Sequence, residues 1–273
     1  MISDILSMES IHRRIHPSLG GIALGSVGLA GAFRAMCEVH EFSNGVEYVS
    51  LPLNVVSVCC AIAVCLRAVW CRDVFMKEII VPSSNSAYGS LVMALALIFK
   101  DLADSSEEGT FLYGVAAGGI YVAAALQFIV MVLFFEACWR TCTYPEPFWF
   151  PPTVSLAMTG WSGMSINMER VIVELSFWGG VVLCVLILPV AIYRVCTEKR
   201  VASHPSIGIL QAPSSFLTCA WFGIQGSEWV GGDDLLLCVL FSASTIVFVL
   251  TVASVLINRD KIFESFSPWF AGK

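Results

Sequence analysis

Eight apolar stretches, separated by short polar connections, leave this chain few ways to fold. They cover 18–36, 51–70, 86–100, 111–139, 148–166, 171–193, 207–224 and 235–257. A helix crossing a bilayer needs about 20 mostly apolar residues. The third stretch is short by that measure, and the fourth is long enough to tilt or to extend past the lipid. Hydrophobic residues make up 57% of the chain and charged residues 13%, against about 25% charged in a soluble domain. Such a chain could not cover its surface with polar groups in water. The expected fold is all-α, a polytopic membrane protein of eight spans paired as four hairpins.

The same composition excludes several classes of function. The net charge of −6 sits almost entirely between the apolar blocks, and no basic run is longer than Arg13-Arg14, so nucleic acid is not an expected partner. The first seventeen residues are mixed and polar, with no flank of the cleavage type, so the first span is expected to be its own insertion signal. Most of the 11 cysteines lie in apolar blocks, where a thiol behaves as a small hydrophobe. There is no C-x-x-C pair, and the four histidines (His12, His16, His40, His204) are dispersed; neither a metal site nor any other cofactor is expected. No G-x-S-x-G, H-E-x-x-H or P-loop occurs, and the histidines stand at span ends, so no catalytic group can be assembled and the chain is not expected to be an enzyme. Arg34, Arg67, Lys100, Asp101, Glu136 and Glu174 lie near span ends, where their charges can snorkel to water. Asn54 and Gln127 are the deeper polar groups, and interhelical hydrogen bonds are expected of both.

Two kinds of span alternate. Even-numbered spans are rich in branched residues, as in the run from Leu235 to Phe241. Odd-numbered spans carry small and breaking residues: Gly20, Gly21, Gly25, Gly28 and Gly31 in the first, Pro151, Pro152, Gly160 and Gly163 in the fifth, Gly208, Pro213, Ser214 and Ser215 in the seventh. Freed backbone groups are tolerated in a membrane where they are buried or line a water-filled cavity, so odd spans are expected to face inward and even spans lipid. Pro17, Pro82, Pro151, Pro205 and Pro268 stand at or near the starts of such stretches, 54 to 69 residues apart. An internal echo marks two of them: His16-Pro17-Ser18-Leu19-Gly20 opens the first span and His204-Pro205-Ser206-Ile207-Gly208 the seventh. Proline is at home there, because the first helical N–H groups have no intrahelical partner. Eleven basic residues fall on the side holding the N-terminus and the loops after even spans; Arg34, Lys100 and Arg170 alone fall on the other. That bias predicts cytoplasmic N- and C-termini.

The sequence from Pro17 to Arg34 resembles the first helix of the tellurite-resistance/C4-dicarboxylate transporter family, which includes the plant slow-type anion channels of the voltage-dependent anion channel superfamily. Phe148-Trp-Phe-Pro-Pro-Thr-Val-Ser and Ile209-Leu-Gln-Ala-Pro-Ser-Ser-Phe resemble its fifth and seventh helices, and Pro268-Trp269-Phe270-Ala271 the entry to its ninth. The resemblance implies ten helices in five hairpins, with odd helices forming an inner ring around a pore and even helices an outer ring. It implies conduction or export of small anions (malate-like C4-dicarboxylate, sulfite, nitrate or chloride), assembly as a homotrimer, and residence in the plasma membrane. On that reading 1–15 is a cytoplasmic tail, 16–266 a membrane domain of four hairpins, and 267–273 the start of an incomplete fifth. The family gates its pore with a phenylalanine on the ninth helix, so the reading expects a C-terminally shortened member in which conduction is impaired. The residues expected to line the path are Gly21, Gly25, Pro152, Ser155, Pro213 and Phe216. The alternative is a non-transporting membrane scaffold or receptor-like subunit built on the same fold.

Overall fold

Every element of the computed structural model is helical across the residues it describes, 15–39, 46–198 and 234–257. The chain divides into two compact units, 1–141 and 142–273. In the first, α1 (Leu19–Val39), α2 (Val46–Trp70), α3 (Arg72–Ile79), α4 (Pro82–Asp104) and α5 (Phe111–Thr141) follow one another. The second holds a 3-10 turn (Pro147–Trp149), then α6 (Phe150–Thr153), α7 (Leu156–Met164), α8 (Arg170–Thr197) and, after a stretch outside the described residues, α9 (Asp234–Ile257).

Four helical segments are long and apolar enough to cross a bilayer: Tyr48–Trp70, Pro82–Asp104, Phe111–Thr141 and Arg170–Thr197. They correspond to the expected second, third, fourth and sixth spans. α1 carries a shorter apolar stretch, Leu19–Arg34, and α9 another, Phe241–Ala253. The expected seventh span, with Pro205, Pro213 and Phe216, lies outside the described residues, as does Pro268.

The third span is not short. It begins at Pro82, which occupies the first helical turn behind an extended Val81, and it runs 23 residues. The polar run Ser83-Ser84-Asn85-Ser86 reads as a loop, yet Asn85 and Ser86 are buried and the Asn85 side-chain amide donates to the Ile79 carbonyl at 2.8 Å. The preceding connection is itself ordered as α3. Its buried Ile79 and half-buried Val74 and Phe75 lie inward, while Arg72, Asp73, Met76 and Lys77 are exposed, as expected of an amphipathic helix.

The fifth span is broken. Pro151 and Pro152 have no N–H to return to the carbonyls four residues back, and the segment becomes a 3-10 turn, a single α-turn and a second helix that restarts after Val154-Ser155. Its C-terminus is closed by Asn167 at φ 51°, with the Met168 amide donating back to the Gly163 carbonyl at 2.9 Å, the left-handed cap that asparagine tolerates.

Burial separates the spans as their residue types suggest. Of the most apolar stretch of each, 61% is buried in α4 but only 22% in α2 and 28% in α5 and α8. The exposed side chains of the latter three include Leu51, Val55 and Ile62, Phe111, Val122 and Phe128, and Val171, Leu175 and Leu186. Apolar surface of that extent requires lipid as its solvent. The segregation of small and breaking residues into odd spans is incomplete, however: Pro52 lies inside α2 and Pro189 inside α8, and close helix contacts rest on even-span glycines as well as odd ones. A Cβ at Gly20 of α1 would stand 2.7 Å from the Ala87 carbonyl oxygen of α4, and one at Gly180 of α8 would stand 2.9 Å from the Cβ of Ala157 in α7. Small residues at these points are what let the backbones approach.

Candidate functional site

The broken fifth span presents two unlike faces. Phe150, Val154 and Ala157 enter one buried cluster with Phe177, Cys184, Ile187 and Ala191 of α8 and Val247 of α9, and Trp161 and Met164 pack beside them. These positions recur at helical spacing and define the face turned to α8. Pro152, Ser155, Thr159 and Ser162 fall on the opposite face, and all are buried. Thr159 Oγ1 donates weakly to the Ser155 carbonyl at 3.5 Å. Among the described residues the hydroxyls of Ser155 (1% exposed) and Ser162 (0%) have no hydrogen-bond partner. An unsatisfied buried hydroxyl costs about 1–3 kcal/mol, so two of them on one face ask for an explanation beyond packing.

On α1, Ala23, Val27 and Ala30 are buried, and the Ala23 carbonyl accepts a 2.7 Å hydrogen bond from Ser57 of α2. Gly21, Gly25 and Gly28 lie on an open face, with nothing among the described residues within 4 Å of where a Cβ would stand. Among the described residues Ser57 thus ties the first two spans, and the side-chain carbonyl oxygen of Asn54 is buried without a partner.

Charged side chains gather at span ends, but not all of them snorkel. Arg67, near the end of α2, is 3% exposed and turned inward. It donates to both oxygens of Glu78 in α3, at 2.5 and 2.6 Å, and to the Tyr88 hydroxyl of α4 at 2.9 Å; that hydroxyl donates to Glu78 at 2.8 Å. Burial pushes the Glu78 carboxyl up, but the bonds from Arg67 and Tyr88 outweigh it and hold the group below 4.5. Three successive helices are locked together there, and the only sign of it in the sequence is an arginine near a span end. In the second unit Arg194 of α8 pairs with Glu198 at 2.7 and 2.9 Å and with Glu146 at 3.0 Å, and donates to the Tyr144 carbonyl at 3.3 Å. It thereby fixes the segment that leads into the fifth span. At the other end of the first unit Arg34 of α1 pairs with Asp101 of α4.

Of the six expected path residues, Gly21 and Gly25 share the open face of α1, and Pro152 and Ser155 share the buried polar face of the fifth span. Pro213 and Phe216 lie outside the described residues. Thr159 and Ser162, four and seven residues after Ser155, share that buried face and were not named from the sequence. Among the described residues no group of three metal-ligating side chains occurs and no disulfide joins the cysteines.

Long helices with exposed apolar side chains, and with polar groups confined to buried faces and helix ends, define a polytopic helical membrane protein. The model of the voltage-dependent anion channel family matches residues 14–271, and the chain belongs to that family. No curated protein and no solved structure matches it.

Proposed function

We propose that the chain conducts small anions along a path walled by odd-numbered spans, with Gly21 and Gly25 of the first span and Pro152, Ser155, Thr159 and Ser162 of the fifth among the lining residues. Pro213 and Phe216 are assigned to the same wall by sequence. The observation that carries the reading is the pair of buried hydroxyls of Ser155 and Ser162, on the face turned away from α8 and without a partner among the described residues. A hydroxyl donor satisfies an anion without holding it, and conduction needs sites weak enough to leave. The basic side chains Arg34, Arg67, Lys100, Arg140, Arg170 and Arg194 sit at helix ends in ion pairs, which leaves the described spans themselves without a strong anion trap. The glycines of α1 keep their face free of side chains.

The substrate class is malate-like dicarboxylate, sulfite, nitrate or chloride. The proposed setting is the plasma membrane, with both termini cytoplasmic and three subunits each carrying a path. The test is flux in proteoliposomes, one anion at a time, for the wild type and Ser155→Ala. Flux of at least one anion, reduced in the variant, supports the reading. Folded protein that moves none of them sinks it and leaves the non-transporting scaffold.

A further inference from the structure

The echo of His-Pro-Ser at the entries of the first and seventh spans has a structural explanation in the first. His16 precedes Pro17, which has no N–H, so the Ser18 amide is the first donor of the helix entry that needs an acceptor. The His16 ring supplies it. The Ser18 amide donates to Nδ1 at 3.2 Å, and Nδ1 lies 2.8 Å from Ser18 Oγ. The His16 carbonyl accepts from the Leu19 amide at 3.1 Å, and the Pro17 carbonyl from the Gly20 amide at 2.9 Å. The His16 ring therefore caps the turn Pro17-Ser18 that leads into α1, doing for its amide what serine, threonine, asparagine or aspartate do at a helix N-cap.

A histidine cap differs from those in one respect. A backbone N–H can only donate, so Nδ1 must carry a lone pair and the ring must be neutral. Protonation at Nδ1 removes the acceptor and sets a positive charge at the positive end of a helix dipole. Among the described residues the charged groups that act on the ring are Arg67 of α2 and Glu78 of α3. Glu78 favours the imidazolium and Arg67 opposes it, but Glu78 is already engaged by Arg67 and Tyr88. Partial desolvation lowers the His16 pKa, Glu78 pulls the other way, Arg67 adds to the lowering, and the net direction is down from 6.5. The stabilisation from the cap is then complete above the ordinary imidazole value and is lost as pH falls through the lower folded value.

We propose that His16 is a positioning residue whose neutral ring orders the first turn of α1, so that acidification on its side of the membrane unlatches that turn and closes down conduction. The turn leads directly into Gly20, which seats α1 on the Ala87 carbonyl of α4, and into Gly21 on the open face. Loosening it disturbs both. His204-Pro205-Ser206 repeats the three residues at the seventh span, outside the described residues.

The inference rests on the conduction reading for its functional arm, and a second arm stands without it. Amide exchange of 18–22, corrected for the intrinsic rate at each pH, reads the cap directly. Protection is expected to fall about five-fold between pH 7.5 and 5.5, the size of one side-chain cap. In His16→Asn, which caps without titrating, protection stays constant. Anion flux follows the same pattern: it drops on acidification in the wild type, persists in His16→Asn, and is low and pH-independent in His16→Ala. Unchanged wild-type protection across this range, or a His16→Asn flux profile that tracks the wild type, overturns the proposal. Wild-type protein that shows the exchange change but moves no anion at any pH overturns the conduction reading and the flux arm with it, while the cap stands.

Discussion

Arg67 and Glu78 meet across a break of chain direction, the guanidinium of one laid against the carboxylate of the other by two hydrogen bonds of 2.5 and 2.6 Å. Tyr88 closes the triangle. Arg67→Ala should cost about 3 kcal/mol, since it leaves the Glu78 charge without its partner. Tyr88→Phe, which removes a hydroxyl and leaves the ion pair, should cost about 1 kcal/mol. Arg67→Lys should resemble the alanine variant more than the wild type, because an ammonium cannot make the two-pronged contact. Unfolding in detergent measures all three; equal midpoints for Arg67→Ala and wild type would remove the triangle from any structural account.

The same group sets an acid limit. The Glu78 carboxyl is held below 4.5, so its contribution is present above that value and is lost as pH falls through the lower folded value. Unfolding midpoints should decline below pH 4.5 in the wild type. Glu78→Gln should be less stable at neutral pH and show a shallower decline. A parallel pH profile for the two proteins would contradict this.

Neighbouring glycines on α1 should behave oppositely. Gly20→Ala drives a Cβ to 2.7 Å from a backbone oxygen that cannot move aside cheaply, and overpacking of that kind costs about 1–3 kcal/mol. Gly21→Ala meets nothing within 4 Å and should leave the unfolding midpoint where it is or raise it, since alanine favours a helix over glycine. Its effect should appear in anion flux instead. If the two variants lose equal stability, α1 does not sit on α4 as described.

Ser155→Ala separates stability from transport. Removing a buried hydroxyl that lacks a partner should be neutral or stabilising by about 1 kcal/mol, while flux falls. Loss of stability together with flux would mean that the hydroxyl is satisfied in the folded protein.

The long apolar helices were readable because nothing but lipid accommodates α2, α5 and α8 as they stand, and the side chains that announce this, such as Leu51, Phe111 and Leu175, are the ones exposed. The break in the fifth span was readable in outline, because Pro151-Pro152 removes two adjacent donors whatever surrounds them. The start of α4 was not. Ser83-Ser84-Asn85-Ser86 has the composition of a loop, and only the burial of Asn85 against the Ile79 carbonyl reveals a helix. Arg67 failed for a related reason: distance from a span end is visible in sequence, but the direction in which a long side chain turns depends on an acid supplied by another helix. Gly21 and Pro152 were named from residue type alone, whereas grouping Ser162 with Ser155 needed a face, and a face is defined only once α8 covers the other side.

α1 and α4 are fastened at both ends, by the seat of Gly20 on Ala87 and by the ion pair of Arg34 with Asp101. Two rods pinned at top and bottom cannot splay like scissors, and they cannot slip past each other by one helical turn of about 5.4 Å without releasing both pins at once. The pair is a fixed post. Beyond the first turn of α1, whatever bends, rotates or steps aside has to be sought in single side chains or in a helix already interrupted by its own prolines.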